Sequence, residues 1–167
     1  MIQKKICMLG TFAVGKTSLV SRFVKSLFSD KYLSSVGVKV DKKVVAVGSD
    51  QVNLLLWDIY GEDDFQKIRP SYLRGSAGYV LVVDGTRRET LEKGIILQNK
   101  TEELIGKVPF VLVVNKVDLV DKWELDDSAI AALGKRGWPA FKTSAKTGEG
   151  VELAFLTLAG KMLEPSS

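Results

Sequence analysis

The sequence contains no histidine and one cysteine, and both features restrict the chemistry that is open to it. Without histidine the chain has neither a Ser-His-Asp nor a Cys-His catalytic arrangement, and it has no histidine metal site. Because Cys7 is the single cysteine, no disulfide can form within the chain. Cys7 lies in an apolar run, which suits a small buried residue in a reducing compartment.

Long apolar runs and targeting segments are also lacking. No apolar stretch approaches the roughly 18 residues of a transmembrane helix. Residues 1–5 match neither a signal peptide nor a myristoylation signal, and residues 163–167 include no prenylatable cysteine. We therefore expect a cytoplasmic protein with no lipid anchor in this chain; the alternatives are a truncated chain or a lineage without prenylation.

The size and charge of the chain point to an ordinary globular protein. The 167 residues have the length of one domain, and we expect a single, monomeric domain over 1–167. The net charge is only +4, and the densest basic group is Lys39, Lys42 and Lys43. We interpret this group as a solvated strand face rather than a nucleic-acid or lipid patch, so we expect no nucleic-acid partner.

Apolar periodicity alternates between two types along the chain. Short runs rich in valine, leucine and isoleucine, typical of strands buried on both faces, lie at 6–9, 52–57, 79–83, 110–114 and 138–141. Helical spacing is clearest over 19–27 and 151–162 and weaker over 87–105 and 126–136. This alternation predicts an α/β domain with a mainly parallel sheet.

One segment departs from this alternation. Val36, Val38 and Val40 alternate with Gly37, Lys39 and Asp41, which is the pattern of a half-exposed strand. A turn at 48–50 then leads directly into the strand at 52–57. The pattern predicts an antiparallel hairpin with 36–47 at the edge of the sheet.

Residues 10–17, GTFAVGKT, match the phosphate-loop pattern G-x-x-x-x-G-K-[ST] between a predicted strand and a predicted helix. Glycines let backbone N–H groups turn inward around an anion, and the helix N-terminus adds partial positive charge. Lys16 can then reach the β- and γ-phosphates, and the Thr17 hydroxyl can bind Mg²⁺. The alternative is a chance glycine turn.

Two polar tetrapeptides follow later strands and suit a guanine base. Asn115-Lys116-Val117-Asp118 lies after the strand at 110–114, where ligands of doubly wound folds bind. The Asp118 carboxylate can accept hydrogen bonds from N1–H and N2–H₂ of guanine, and the Lys116 methylenes can cover the ring. The loop at 143–146, Thr-Ser-Ala-Lys, could offer backbone N–H groups to O6. For either tetrapeptide alone, the alternative is an ordinary polar loop.

Together with Trp57-Asp58-x-x-Gly61, these motifs resemble the Ras superfamily of small GTPases, nearest to its Rab branch. Residues 32–38 resemble the Rab first switch, and residues 69–75 resemble the segment after the second switch. The resemblance covers essentially the whole chain as one small-GTPase domain. It implies the P-loop NTPase fold, with a six-stranded, mostly parallel sheet, one antiparallel edge strand and helices on both faces.

The resemblance also implies a GTP/GDP-dependent switch with bound Mg²⁺. It implies contacts to the nucleotide from Ala13, Val14, Gly15, Lys16, Thr17, Ser18, Phe28, Gly61, Asn115, Lys116, Asp118, Ser144, Ala145 and Lys146. The implied metal contacts are Thr17, Ser35 and, in the outer shell of the metal, Asp58. The implied catalytic residues are Lys16, Ser35, Gly61 and Glu62. Protein effectors, exchange factors and GTPase-activating factors would bind through 30–40 and 59–74.

Four departures from the family pattern lie around the γ-phosphate. Ser35 replaces the usual threonine and keeps its hydroxyl. Phe12 replaces a small residue where an arginine finger normally enters, or else it packs against the second switch. Ala13 replaces a common glycine, from which we expect little effect.

The fourth departure is Glu62, which stands where the family has the glutamine that orients the attacking water. A carboxylate about 4 Å from another negative charge is repelled by roughly 4 kcal/mol at an effective dielectric of about 20. It also cannot donate a hydrogen bond to phosphate. We expect Glu62 to turn away and hydrolysis to be slow; the alternative is that Glu62 acts as a base on the water.

Three functions remain open from the residues. The first is a GTP-dependent switch with slow, Mg²⁺-dependent hydrolysis. The second is a GTP-binding scaffold that does not hydrolyse, and the third is a P-loop small-molecule kinase, for which no lid segment is evident. The tryptophans, Trp57, Trp123 and Trp138, are interpreted as packing residues rather than binding hot spots.

Overall fold

The computed structural model describes residues 1–11, 13–25, 37–60 and 70–164. The strands are β1 (Ile2–Leu9), β2 (Gly37–Val47), β3 (Asp50–Tyr60), β4 (Ser76–Asp84), β5 (Phe110–Asn115) and β6 (Ala140–Lys142). The α-helices are α1 (Lys16–Lys25), α2 (Pro70–Leu73), α3 (Arg88–Ile105), α4 (Asp127–Lys135) and α5 (Val151–Leu163), and a 3₁₀ helix spans Val117–Lys122.

The strands form one six-stranded sheet in the order β2-β3-β1-β4-β5-β6. Among the described strands, only the β2–β3 pair is antiparallel; the β1–β3, β1–β4, β4–β5 and β5–β6 pairs are parallel. β2 therefore lies at the edge, as the alternation of its valines predicts. The predicted P-loop NTPase architecture is confirmed.

Core residues lie on both faces of the sheet because successive side chains of a strand point to opposite sides. Ile6 and Met8 of β1 belong to a core cluster that includes Phe23 of α1 and Phe155 of α5. The side chains between and after them, Cys7 and Leu9, belong to a second cluster with residues of α3 and α4. Because both faces of these strands are buried, their sequences are continuous apolar runs.

Some predicted boundaries differ from the structure. The last strand runs over 140–142 rather than 138–141, because buried Trp138 instead packs edge-to-face on Phe110, with ring centroids 5.3 Å apart. The short helix α2 and the 3₁₀ helix have too few turns for an apolar period, and the sequence pattern did not predict them. Val36 and residues 26–27 of the predicted elements lie outside the described residues.

The described helices include none that is both long enough and apolar enough to cross a membrane.

Candidate functional site

The phosphate loop connects β1 to α1 and packs against two neighbouring strands. Gly10 has φ 152°, and a Cβ there would lie 2.5 Å from the carbonyl oxygen of Val82. Gly15 has φ 104°, and a Cβ there would lie 2.3 Å from Nδ2 of Asn115. Both positions favour glycine, because their φ angles are ones that L-residues rarely adopt. A Cβ at Gly10 would also meet the backbone of β4, and one at Gly15 would displace the Asn115 amide.

Ala13 of this loop has φ 63°, in the left-handed region that glycine adopts without strain. An L-residue there costs roughly 1–2 kcal/mol. The substitution of alanine for the common glycine therefore has a backbone cost that the sequence reading did not anticipate.

Lys16, the first residue of α1, lies inside the loop. Its side chain is buried at 7% exposure, and Nζ donates to the carbonyl oxygens of Gly10 at 3.0 Å and Thr11 at 3.3 Å. Val14 is fully buried, and Ser18 lies on the first turn of α1. The loop thus holds an ammonium group at the N-terminus of a helix, where an anion is favoured.

Thr17 and Asp58 meet beside the loop. Oγ1 of Thr17 donates to Oδ2 of Asp58 at 2.5 Å, and the Asp58 side chain is only 1% exposed. Among the described residues, Oδ1 of Asp58 has no hydrogen-bond partner. Burial raises the pKa of this carboxyl, and the hydrogen bond from Thr17 and the charge of Lys16 offset that rise only in part.

A buried carboxylate whose burial is only partly offset by nearby positive charge fits a divalent metal. In the described part of the chain, histidine, cysteine, aspartate and glutamate form no group of three or more that could hold a metal ion by itself. Mg²⁺ often takes one or two protein oxygens and completes its shell with phosphate oxygens and water. Thr17 and Asp58 suit such a partial site.

Asn115, at the end of β5, joins the phosphate loop to the segments 115–118 and 143–146, which we call the first and second base loops. It is buried, its Nδ2 donates to the carbonyl oxygen of Val14 at 3.0 Å, and its Oδ1 accepts from Oγ1 of Thr143 at 3.1 Å. The sequence reading placed Asn115 next to the base. In the structure its side chain holds three loops together.

Lys116 adopts a left-handed backbone conformation with φ 75°. Its Nζ donates to the carbonyl oxygen of Ala13 at 3.3 Å, so its hydrocarbon chain runs from the base loop to the phosphate loop. The Lys116 methylenes therefore line the space between the two loops, as the proposed contact with a base ring requires.

A residue of the second base loop holds the Asp118 side chain. Oγ of buried Ser144 donates to Oδ1 of exposed Asp118 at 2.8 Å and accepts from the backbone N–H of Thr147 at 3.0 Å. Arg22 of α1 donates through Nε to the carbonyl oxygen of Ala145 at 2.8 Å and through Nη2 to that of Lys146. These contacts orient the Asp118 carboxylate and the 144–146 backbone at one edge of the sheet.

The structure thus brings together the predicted residues of the phosphate loop, Asp58 and the two base loops. They lie at the carboxyl ends of the parallel strands. Phe12, Phe28, Ser35, Gly61 and Glu62 lie outside the described residues. Sequence reasoning missed Arg22, Asp84 and the polar role of Trp123. For Asp84 a signal existed, since it directly follows the predicted strand at 79–83.

Comparison with known proteins agrees with this geometry. The model of the Ras family matches residues 5–164. The chain belongs to the Ras family. Among its relatives are the Ras-related protein Rab-18-B of Danio rerio, 34% identical over 163 residues, and the Ras-related protein Rab-21 of Mus musculus, 32% identical over 162 residues. The alignments cover 96% of this chain and 79% and 73% of the two relatives, respectively.

The predicted Rab-like resemblance is thereby confirmed. Membership of the Ras family is consistent with a GTP-binding switch.

Proposed function

We propose that this Ras-family protein binds GTP and GDP with Mg²⁺ and acts as a nucleotide-dependent switch. The observation that supports it best is that the phosphate loop and Asp118 converge at the carboxyl ends of the parallel strands. There the buried side chain of Asn115 links the loops by hydrogen bonds. A P-loop kinase would use the same phosphate loop, but it would not need an oriented carboxylate facing the base.

Each part of the nucleotide has a proposed group of binding residues. Backbone N–H groups of residues 13–18 and the Lys16 ammonium would bind the phosphates, and Lys116, Asp118 and residues 144–146 would bind the base. Thr17 and Ser35 would hold Mg²⁺, with Asp58 in the outer shell of the metal. When bound, Mg²⁺ supplies positive charge to the phosphate oxygens. Phe28 is proposed to pack on the base, and Gly61 to approach the γ-phosphate.

The finer part of the proposal is that hydrolysis is slow. Glu62 cannot donate a hydrogen bond to phosphate and would repel it, and Phe12 stands at the sequence position where the family has a small residue beside the entry of an arginine finger. The same two residues favour a second function, a GTP-binding scaffold that does not hydrolyse. Partners would contact residues 30–40 and 59–74 in either case. The buried thiol of Cys7, which forms no disulfide, supports a cytoplasmic location.

Base selectivity tests the proposal. Asp118→Asn replaces an acceptor by an amide that presents a donor to guanine, and we expect affinity for GDP to fall at least about 100-fold, equivalent to about 3 kcal/mol. The measurement is the Kd for GDP, ADP and xanthosine diphosphate by titration calorimetry. The wild type should prefer GDP strongly over ADP.

The control is Asp121→Asn, which changes an exposed aspartate in the same 3₁₀ helix and should leave GDP affinity unchanged. Equal affinity of the wild type for ADP and GDP would contradict the proposal, and so would guanine selectivity that survives in Asp118→Asn.

A further inference from the structure

A polar cluster lies behind Lys116. Apart from Lys116 itself, the residues of this cluster are not among the proposed nucleotide contacts. Its centre is Asp84, the last residue of β4, which is in register with Asn115 and is fully buried. The Asp84 carboxylate accepts four hydrogen bonds, from Lys116 Nζ at 2.8 Å, Arg87 Nε at 3.1 Å, Thr86 N at 2.9 Å and Thr86 Oγ1 at 2.7 Å.

These donors keep the Asp84 carboxylate ionised although it is buried. Burial acts to raise the pKa of the carboxyl, but the hydrogen bonds from Lys116, Thr86 and Arg87 outweigh it and lower the pKa below its ordinary value. Loss of one partner from such a buried charge is strongly destabilising, which favours the observed arrangement over others. Asp84 therefore fixes the position of the Lys116 ammonium.

The backbone of Lys116 is fixed by a different residue. Nε1 of Trp123 donates to the carbonyl oxygen of Lys116 at 2.7 Å. The indole lies against Gly85, where a Cβ would come within 2.2 Å of its Cε2 atom. The carbonyl oxygen of Gly85 in turn accepts from the backbone N–H groups of Glu124 at 2.9 Å and Leu125 at 3.2 Å. This packing supports the left-handed conformation of Lys116, which a lysine rarely adopts.

We propose that Asp84 and Trp123 form a clamp that fixes Lys116 at both ends and thereby sets how long the nucleotide stays bound. The inference rests on the proposed function, because it assigns a role to residues behind the base site. A free lysine side chain would have to be ordered each time a base binds, and the clamp removes that cost in advance. Asp84 and Trp123 are positioning residues, since neither is proposed to touch the nucleotide.

The test is the release rate of a fluorescent GDP analogue, chased with excess GDP, from the full chain with Mg²⁺. Asp84→Asn keeps the shape of the side chain but removes the charge, and we expect release to be roughly tenfold faster. Trp123→Phe keeps an aromatic ring against Gly85 but loses the N–H, and a severalfold acceleration is expected.

The matched control is Asp127→Asn. Asp127 makes an ion pair of the same 2.8 Å length with Lys142, but its side chain is 91% exposed. Loss of an exposed pair should not change the release rate.

A double-mutant cycle separates positioning from a general effect on the fold. In the Lys116→Ala background, Asp84→Asn should cause no further acceleration, because the side chain that Asp84 positions is gone. Full acceleration in that background, or release from both variants at the wild-type rate, would overturn the clamp. If Asp84→Asn does not fold, Trp123→Phe decides alone, and its release of the analogue at the wild-type rate would overturn the clamp. A wild type that binds no guanine nucleotide would instead overturn the proposed function, and the clamp with it.

Discussion

Asp58 illustrates at the scale of one residue how a group proposed to bind a metal can reduce stability. It lies in β3 with its side chain 1% exposed, and only Oδ2 has a hydrogen-bond partner among the described residues, Thr17. Burial raises the pKa of the carboxyl because the charged form loses solvation. Without a cation the ionised carboxylate therefore opposes folding at neutral pH.

We expect Asp58→Asn to raise the free energy of unfolding of the nucleotide-free protein at pH 7 by about 1 kcal/mol or more. The asparagine oxygen can still accept from Thr17, while the buried charge is gone. Because folding raises the carboxyl pKa, the penalty in the wild type is present above the folded pKa and disappears below the ordinary value of 3.8. The advantage of the variant should therefore shrink as the pH falls.

Urea unfolding at several pH values measures this difference. The same variant should lose most of the increase in GDP affinity that Mg²⁺ produces in the wild type. A variant that is less stable at neutral pH, or that responds to Mg²⁺ normally, would show that the carboxylate is not an uncompensated metal contact.

At the scale of one element, α1 connects both halves of the site. Its first residue, Lys16, lies in the phosphate loop, and Arg22 holds the carbonyl oxygens of Ala145 and Lys146. Phe23 stacks on Phe155 of α5, with ring centroids 4.2 Å apart, and α5 follows the second base loop along the chain. A shift of α1 would move the phosphate and base contacts together.

Arg22→Met should loosen the second base loop, because the hydrocarbon stem remains while the donors to the loop carbonyls are lost. Arg22 is partly exposed, so we discount the usual value of charged hydrogen bonds and expect roughly tenfold faster release of GDP. Release of a fluorescent GDP analogue measures it.

Arg136→Met is the control, since Arg136 lies over Trp138, 4.8 Å from its ring centroid, and makes no described contact with the base loops. If Arg22→Met releases GDP no faster than this control, α1 does not hold the base loop.

At the scale of the whole molecule, the open question is how long a GTP-bound state lasts. A switch needs the γ-phosphate to be sensed and then removed, whereas a scaffold needs only the first. Glu62 and Phe12 decide between them in our proposal, through repulsion of the phosphate and occlusion of the finger site.

Single-turnover hydrolysis of bound GTP with Mg²⁺ is the measurement, on the wild type beside Glu62→Gln and Phe12→Gly. We expect a slow wild type and faster variants, by on the order of tenfold for each, equivalent to about 1.4 kcal/mol in the barrier. A fast wild type that Glu62→Gln slows would mean that the carboxylate positions the water. Variants as slow as the wild type would contradict the charge argument.

Much of the fold was predictable because its signals are local. Runs of valine and leucine report strands buried on both faces, and the alternating valines of β2 report an exposed edge. The loop at 10–17 and the tetrapeptide at 115–118 are likewise recognisable from spacing alone, since each is built from neighbours in the chain.

The sequence by itself therefore determined how six strands and the four longer helices alternate along the chain, the family, and the motifs at 10–17 and 115–118. Only the tertiary structure decided that Asn115 ties Val14 to Thr143, that Arg22 holds Ala145, and that Asp84 and Trp123 fix Lys116. Periodicity reports which backbone conformation and which burial a segment prefers. It does not report which side chains meet when the carboxyl ends of distant strands are brought together, because strand order and register set those contacts.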